Sequence, residues 1–432
     1  MRVSDALAVA VWTATVFGFL EGVALSVSRL FPAVLAPYKV SLHALWIAPA
    51  LDLPLFLLAA AGLLPLLGVI GRWRGARPLL ITHGVFVFLG TVTVVTAPAV
   101  IHPIAATLLS LGVTAAWCRG LSGTERRLTD FLRRRLLWIP ALLLAAWAGV
   151  AVYDKAREMW LFRHLPPAEA DAPNVLLIVL DTVRRDSVGR PAERSLTPNL
   201  DRIAAGGVRF ENAWVTSSWS LASQASILTG RYPHEHGADW PDFRLDDRYP
   251  TLAEFFSRRG YVTGAFSGNA AWVTPEYLGR GFLRFNAYLL EDLLRRTVHG
   301  RKLDRLLGEV GYHAAGRGKK APTLNAEFLA FLDDYRSRPF FAYLCYMDVN
   351  QAFHDRRLNP GFRRRATRQE VIEAYEGGMR ALDAEIARLF SELDRRRLLD
   401  RTLVVITSDH GESFGAEADD HDPPDHGTSL YP

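Results

Sequence analysis

The sequence has few cysteines, and few charges interrupt its long apolar runs. Its two cysteines among 432 residues, Cys118 and Cys345, fall in an apolar segment and a predicted strand, which is not the pattern of a disulfide framework. The net charge is +5, and much of the basic excess lies in short loops between apolar segments. This distribution favours a membrane topology over nucleic-acid binding as the reason for the positive charge.

The N-terminal part of the chain contains about five apolar segments that are long enough to span a bilayer. They have almost no charged face, which argues against a soluble helical bundle. The first lacks a small-residue cleavage site and is followed by further spans, which argues against a cleaved signal peptide. We therefore predict a transmembrane domain over residues 1–154, with spans at roughly Ala6–Leu30, Leu42–Ile70, Leu79–Ala97, Ala99–Trp117 and Leu136–Val152.

Arginine is concentrated in the loops on one side of this predicted bundle. Arg2 precedes the first span, and arginine clusters follow the second and the fourth, whereas the opposite loops carry little beyond Arg29 and Lys39. The positive-inside rule places the N-terminus in the cytoplasm, and an odd number of spans places the chain after residue 155 outside. We expect a multi-pass protein of a bacterial-type cytoplasmic (inner) membrane with an extracytoplasmic domain.

Two carboxylates interrupt the first two predicted spans, both toward the outer half in this topology. Ionisable residues within a membrane usually have a function, so Glu21 and Asp52 predict a contact with a lipid headgroup or a role in substrate access. Asp52 lies between Pro49 and Pro54, so a local helix break near the interface is the other interpretation.

After the spans the sequence changes character. The prolines in residues 155–173 predict a tether, and residues 174–432 alternate strand and helix patterns. Asn174–Asp181 and Thr402–His410 each predict a buried parallel strand with polar side chains at its end. We expect an α/β domain with a doubly wound, mostly parallel sheet. Residues 286–320, rich in Arg, Lys and Gly, predict a solvated loop or an insertion over the site.

The two strand ends and one helix start suggest a common site. Ser220 opens a short predicted helix, whose N-terminus favours negative charge. Ligands bind outside the carboxyl ends of the strands in open α/β sheets, where Asp181, Asp409 and His410 are expected. Each residue alone could be a helix cap or a turn residue, but together they can surround one divalent metal ion. Such an ion would neutralise an anionic ester and help ionise the Ser220 hydroxyl for attack.

Four motifs carry a resemblance to a known family. In chain order they are Leu180-Asp-Thr-Val-Arg-Arg-Asp186, Thr197-Pro-Asn-Leu-Asp-Arg202, the Ser220 stretch with Leu228-Thr-Gly-Arg-Tyr-Pro233, and Thr407-Ser-Asp-His-Gly-Glu412. This order resembles the catalytic domain of the sulfatases, within the alkaline-phosphatase superfamily, over roughly residues 172–432.

The resemblance implies an alkaline-phosphatase-like fold with one divalent metal ion. Its ligands would be Asp181, Asp409, His410 and the Ser220 oxygen, and Ser220 would be the nucleophile. His426 matches a region of the family that contacts the substrate or the leaving group. The sequence does not distinguish Ca, Mn, Mg or Zn.

The chain also departs from the common sulfatase pattern. Most sulfatases have Cys-x-Pro-Ser-Arg, whose Cys is oxidised to formylglycine, where this chain has Ser220-Leu-Ala-Ser-Gln224. Some sulfatases mature a serine instead, so formylglycine at Ser220 and an unmodified serine are both open. Thr182 replaces the second carboxylate of the usual Asp-Asp pair. Asp348-Val-Asn350 lies where many relatives have Asp-Pro-His, and a Lys-Trp-His element is absent, with Ser267-Gly-Asn269 nearby instead. These departures argue against a standard arylsulfatase.

The membrane part leaves the reaction open. Five spans joined to an extracytoplasmic domain resemble the phosphoglycerol and phosphoethanolamine transferases. We therefore consider a hydrolase of sulfate or phosphate esters, including those of lipids or glycans, a headgroup transferase, and a catalytically silent membrane scaffold. The chain stops at Leu430-Tyr-Pro432, where relatives continue, so we expect a C-terminally incomplete domain.

Overall fold

The computed structural model describes residues 2–27, 41–73, 75–97, 101–240, 243–309, 318–353, 367–412 and 414. The chain divides into two compact units. The first comprises Met1–Ala156 and Leu293–Val310, and the second comprises Arg157–Asp292 and Gly311–Pro432.

The first unit is helical. Its helices before the sheet are α1 (Val3–Val27), α2 (Ala44–Ile70), α3 (Pro78–Thr96), α4 (Pro103–Leu121), α5 (Glu125–Arg134) and α6 (Trp138–Arg163), the last of which continues past Ala156 into the second unit. Among the described residues, all of these except the short, basic α5 are long and apolar enough to cross a membrane. The predicted apolar segments are therefore helices. Most of their described ends lie within a few residues of the predicted ones, but the last helix continues well beyond Val152, to Arg163. The fourth begins at Pro103 because His102 caps it and accepts a hydrogen bond from the Ile104 backbone N–H.

Small residues allow the first helices to pack closely. A Cβ added to Gly18 of α1 would lie 2.4 Å from Cα of Pro49 in α2, and one added to Gly22 would lie 2.7 Å from the Ala44 carbonyl oxygen. Glycine at both positions therefore lets the α1 and α2 backbones approach directly. Close packing through small residues is typical of helices in membranes.

Helix α6, the last of the long apolar helices, extends into the segment that the sequence predicts as a tether. Residues up to Arg163 are helical, so the irregular connection is shorter than residues 155–173. The run between Lys155 and Arg163 contains no proline or glycine, whereas Pro166 and Pro167 cannot continue a helix. The second unit begins at Arg157, so Phe162, near the end of α6, packs within the core of its own unit.

The second unit is built on a five-stranded sheet. Its strands are β1 (Asn174–Leu180), β2 (Val262–Ser267), β3 (Arg284–Asn286), β4 (Phe340–Tyr346) and β5 (Thr402–Ser408). They lie in the order β3-β2-β4-β1-β5, and every pair is parallel. In the register, Leu180 lies opposite Tyr346 and Ser408. The carboxyl ends of β4, β1 and β5 therefore meet at the same edge.

Helices cover both faces of this sheet. The helices after α6 are α7 (Pro198–Ala205), α8 (Ser220–Thr229), α9 (Pro233–His236), α10 (Leu252–Ser257), α11 (Pro275–Leu278), α12 (Leu290–Leu294), α13 (Val298–Glu309), α14 (Ala321–Asp334), α15 (Asp348–Phe353) and α16 (Arg368–Arg395). Of these, α13 belongs to the first unit and not to the helices that cover the sheet. Leu176 and Ile178 of β1 point into a core with α14 and α16. Leu177 and Val179 point into a second core with α8. The continuous apolar run of β1 is thus explained by burial on both faces, and the predicted doubly wound α/β fold is confirmed.

The segment 286–320 differs from the sequence expectation of a loop. Its described part contains α12 and α13, and residues 293–310 group with the first unit. Val298, at the start of α13, is buried together with Leu25 and Ala44. This segment therefore contributes an apolar face to the helical unit instead of forming a solvated loop.

Replacement of Phe266 by alanine tests the importance of the core between β2 and α14. Phe266 is fully buried, and its ring centroid lies 5.8 Å from that of Phe328 and 5.7 Å from that of Phe331. We expect Phe266→Ala to lower the free energy of unfolding by roughly 3–5 kcal/mol, because the cavity removes packing from both aromatic neighbours. The measurement is denaturant unfolding of the full chain in detergent. The control is Phe210→Ala at a position that is 78% exposed, and equal losses in the two variants would contradict the assignment of this core.

Candidate active site

The ends of β1 and β5 place three ligating side chains together. Asp181 follows β1, and its backbone N–H donates to the Tyr346 carbonyl at 2.9 Å, which continues the pairing with β4. Asp409 and His410 follow β5. One ligand atom from each of these three buried side chains lies within 4.8 Å of the other two. The structure thus brings the sequence-predicted metal ligands together.

Ser220 is the first residue of α8 and completes this group. Its hydroxyl donates to Oδ2 of Asp181 at 3.3 Å, and its Oγ lies 3.3 Å from Nε2 of His410. The first backbone N–H groups of a helix have no partner within the helix, and together with the helix dipole they favour an anion. The Ser220 oxygen is therefore located where an anionic ester would be bound and attacked.

The orientation of Asp409 is fixed by groups from three elements. Its Oδ2 accepts a hydrogen bond from the Gln224 amide at 2.8 Å, and its Oδ1 accepts from the backbone N–H groups of Thr182 and His410 at 3.3 and 2.9 Å. The Gln224 carbonyl oxygen in turn accepts from the hydroxyl of Tyr343. Gln224, which the sequence marks only as a departure from the family, positions a predicted metal ligand.

Two asparagines hold Asp181 in the same way. The side-chain amide of Asn269 donates to Oδ2 at 3.2 Å, and that of Asn350 donates to Oδ1 at 3.3 Å. Asn269 follows β2 and Asn350 lies in α15, directly after β4. Sequence reasoning did not assign either residue to the site, although their positions just beyond strand ends are the available signal.

His410 presents one ring nitrogen to the site. Its Nδ1 lies 2.8 Å from the Gly411 carbonyl oxygen, which can only accept, so Nδ1 carries the proton. Nε2 therefore presents its lone pair toward Ser220 and toward Oδ2 of Asp409, which lies 3.7 Å away. This tautomer is the one that a metal ligand or a hydrogen-bond acceptor at Nε2 requires.

The donor set fits a divalent cation. Two carboxylates, one imidazole nitrogen and one hydroxyl oxygen converge in a buried space, and oxygen and nitrogen donors of this kind suit several divalent metals. The hydrogen-bond donors described above are neutral amides, a hydroxyl and backbone N–H groups. A bound cation would supply the positive charge that two buried carboxylates need.

Strand β4, which contributes Tyr343 and Cys345 next to the site, adds no charge to it. Burial raises the pKa of the Tyr343 hydroxyl and the Cys345 thiol far above their ordinary values, so both stay protonated. The Cys345 sulfur lies 3.4 Å from the Gln224 amide nitrogen, which donates to it. Cys345 is thus a buried neighbour of the site and not a nucleophile.

The remaining sequence-predicted site residue is His426, which lies outside the described residues. Its contact with the substrate or the leaving group stays a prediction.

His236 stabilises the turn that follows the Ser220 helix. It is buried; its Nδ1 accepts the Ala238 backbone N–H at 3.1 Å, so Nε2–H donates to Ser226 at 3.0 Å. Burial lowers the pKa of His236, because the charged form would lose both its solvation and the bond at Nδ1. This histidine holds the loop in place in its neutral form.

A pH dependence of stability follows from the lowered pKa of His236. Between its folded-state pKa and the ordinary value of 6.5, the unfolded chain binds more protons, so stability falls as pH drops below 6.5. The loss attributable to this group is at most about 1.4 kcal/mol per pH unit. We expect the stability difference between the unchanged chain and His236→Gln to shrink between pH 7.5 and pH 5. Unfolding midpoints measured over that range give the difference, and a constant difference would contradict a neutral, buried His236.

Replacement of Gln224 tests its role in positioning Asp409. Gln224→Leu keeps the size of the side chain but removes the donor to Oδ2. We expect metal affinity to fall by about 10–100-fold, which is typical when a residue that orients a metal ligand is lost. Titration of the chelator-treated chain with Mn²⁺ gives the affinity. The control is Gln369→Leu at an exposed position of α16, and an affinity as low as that of Gln224→Leu in this control would contradict a specific role.

The chain is similar to sulfatases along its second unit. A family model described as Sulfatase matches residues 173–430. Arylsulfatase A of Homo sapiens is 28% identical over 307 residues, which is 63% of this chain and 55% of that protein. An arylsulfatase of Clostridium perfringens is 40% identical over 122 residues, 28% of this chain and 24% of that protein. The chain thus spans about half the length of the first of these relatives.

A solved structure aligns with the same part of the chain. The phosphonate monoester hydrolase of Agrobacterium radiobacter matches with a TM-score of 0.42 and 22% identity, over 56% of this chain and 63% of that one. The family assignment rests on the family model, which matches more than half of the chain and includes Asp181, Ser220, Asp409 and His410. The chain belongs to the sulfatase family.

Proposed function

We propose that this protein is a membrane-anchored, metal-dependent hydrolase of sulfate or phosphate esters in which Ser220 is the nucleophile. The observation that carries this proposal is the position of the Ser220 oxygen, 3.3 Å from both Asp181 Oδ2 and His410 Nε2 at the start of α8. A nucleophile beside a metal-binding group and a helix N-terminus is suited to attack on an anionic ester.

The surroundings of Gln224 favour an unmodified serine over formylglycine. In the sulfatase pattern an arginine at this position supports the aldehyde hydrate. Here the Gln224 amide donates to Asp409 and its carbonyl oxygen accepts from Tyr343, so both ends of the side chain are used elsewhere. The hydroxyl of Ser220 itself is then the attacking group.

Asp181, Asp409 and His410 would hold the metal ion, together with the Ser220 oxygen. When bound, the ion offsets the negative charge of the ester and favours ionisation of the serine hydroxyl. The chain's own residues orient the reactants. Asp181 accepts the hydrogen bond of Ser220 and thereby directs the hydroxyl, while the first N–H groups of α8 face the anionic oxygens of the ester.

The reaction proceeds by two displacements. The Ser220 oxygen forms a bond to sulfur or phosphorus as the bond to the leaving alcohol breaks, and the hydroxyl proton passes to Oδ2 of Asp181. The leaving alkoxide takes a proton from the solvent. Water then attacks the covalent ester of Ser220, which releases sulfate or the phosphate product and restores the serine.

A second candidate is transfer of a phosphate-containing headgroup from a lipid to another acceptor. The observation that favours it is the set of five helices long enough to cross a membrane, which would keep the site near lipid. The arginine-rich loops further support an extracytoplasmic position of the second unit in a cytoplasmic membrane. The chemistry at Ser220 is the same, but an alcohol replaces water in the second displacement.

Replacement of Ser220 distinguishes a catalytic role of the protein from a scaffold role. We expect Ser220→Ala to lower turnover of an aryl sulfate or an aryl phosphodiester by at least ~10³-fold, because the covalent step is lost. The control is Ser391→Ala, an exposed serine of α16, which should keep full turnover. A metal-loaded chain with no turnover of either substrate or of phospholipid would contradict the proposal and favour a silent scaffold.

Mass spectrometry of the Ser220 peptide identifies the nucleophile and the reaction. We expect an unmodified serine in the resting protein and a phosphoryl-containing adduct after incubation with a phosphodiester. The mass loss of serine oxidation would instead identify formylglycine and sulfate-ester hydrolysis. A lipid product formed only when an acceptor alcohol is added would identify transfer over hydrolysis.

A further inference from the structure

A second cluster of ligating side chains lies within the helical unit. Glu21 of α1, Asp52 of α2 and His299 of α13 each offer one ligand atom within 4.8 Å of the other two. Glu21 and Asp52 are 0% and 1% exposed. We propose that these three residues form a second divalent metal site, which takes an ion such as Zn²⁺ and fastens α13 to the membrane helices.

The packing of α1 on α2 accounts for the approach of the two carboxylates. Gly18 and Gly22 flank Glu21 and allow the two helix backbones to touch. Asp52, one turn after Pro49, therefore lies in the same interface as Glu21. Two carboxylates that approach within an apolar bundle repel each other and lack solvent, so they need a positive partner.

Each carboxylate uses only one oxygen in the hydrogen bonds that surround it. The Val298 backbone N–H donates to Oε1 of Glu21 at 2.7 Å, and Nδ1 of His299 lies 2.6 Å from Oδ1 of Asp52. The second oxygens, Oε2 of Glu21 and Oδ2 of Asp52, are buried without a hydrogen-bond partner among the described residues. Buried carboxylate oxygens without partners are costly, and a shared cation would satisfy both.

The other nitrogen of His299 has the environment expected in a metal ligand. Nε2 lies 3.5 Å from Oγ1 of Thr93, and this hydroxyl donates its own hydrogen to the Leu89 carbonyl at 3.0 Å. The Thr93 oxygen can therefore accept a hydrogen from Nε2. In the contact with Asp52, Nδ1 donates its hydrogen to Oδ1, because a carboxylate oxygen can only accept. A bound ion would take the place of this hydrogen at Nδ1, and the ring would then carry its hydrogen on Nε2 toward Thr93, as ligating histidines commonly do.

Charge also favours a divalent ion. A neutral imidazole and two carboxylates carry two negative charges, which one divalent ion balances. Two carboxylate oxygens with one imidazole nitrogen form a donor set common in zinc sites that keep an open position. The competing arrangement has no metal ion: His299 donates from Nδ1 to Asp52, and Arg301 supplies positive charge near Glu21.

Metal content of the purified full chain tests the proposal. The chain is stripped with chelator in detergent, loaded with Zn²⁺ and freed of excess ion. We expect His299→Ala and Glu21→Gln each to bind about one equivalent of Zn²⁺ less than the unchanged chain. Glu21→Gln keeps a carbonyl oxygen for the Val298 N–H, so it removes the ligand charge with little change in packing. The control is His102→Ala, at an exposed histidine of the same unit, which should bind as much Zn²⁺ as the unchanged chain.

A spectroscopic measurement assigns the ion to this cluster. In the His410→Ala background, which disables the site at Ser220, Co²⁺ replaces Zn²⁺ as the probe. We expect a visible absorption band that disappears when His299→Ala is added and remains when His102→Ala is added. No band in this background, or unchanged Zn²⁺ content in His299→Ala and Glu21→Gln, would overturn the proposal. A loss of Zn²⁺ that occurs only in His299→Ala and Glu21→Gln, and not in His410→Ala, would instead count against the catalytic metal.

Discussion

The alignment of β1 with its two neighbours is the constraint on which the candidate active site depends. Leu180 lies opposite Tyr346 of β4 and Ser408 of β5, so Asp181 and Asp409 are the next residues at one edge of the sheet. A shift of one residue would turn these side chains to the opposite face. The register is secured by burial of alternate β1 residues in two separate cores, and the chemistry at the edge is thus fixed by packing below it.

Local pattern was sufficient for the residues that follow a long apolar strand or start a helix. The proximity of Asp181, Asp409, His410 and Ser220 could be predicted on that basis, since each has a clear element next to it. Asn269, Asn350 and Gln224 could not be assigned contacts, because these depend on β4 lying between β2 and β1. Strand order is a tertiary property that spacing along the chain does not encode.

The helical unit shows the same division between local and tertiary information. Apolar length identified its spans, and Glu21 and Asp52 stood out because ionisable residues are rare in such helices. Their partner His299 follows Asp52 by 247 positions in a segment that the sequence predicts as a loop. The composition of this segment, rich in Arg, Lys and Gly, did not indicate an apolar face on α13. The face is recognised from the burial of Val298 beside Leu25.

The two clusters of ligating residues differ in what a bound ion would do. Both carboxylate oxygens of Asp181 and of Asp409 have donors within the protein, so the catalytic group is held in place by its own hydrogen bonds. An ion there is free to act on the substrate. In the cluster of Glu21, Asp52 and His299, one oxygen of each carboxylate lacks a donor among the described residues. An ion bound there would complete the packing of α13. The roles that we propose for the two clusters, catalysis in one unit and structure in the other, therefore use the same ligand types.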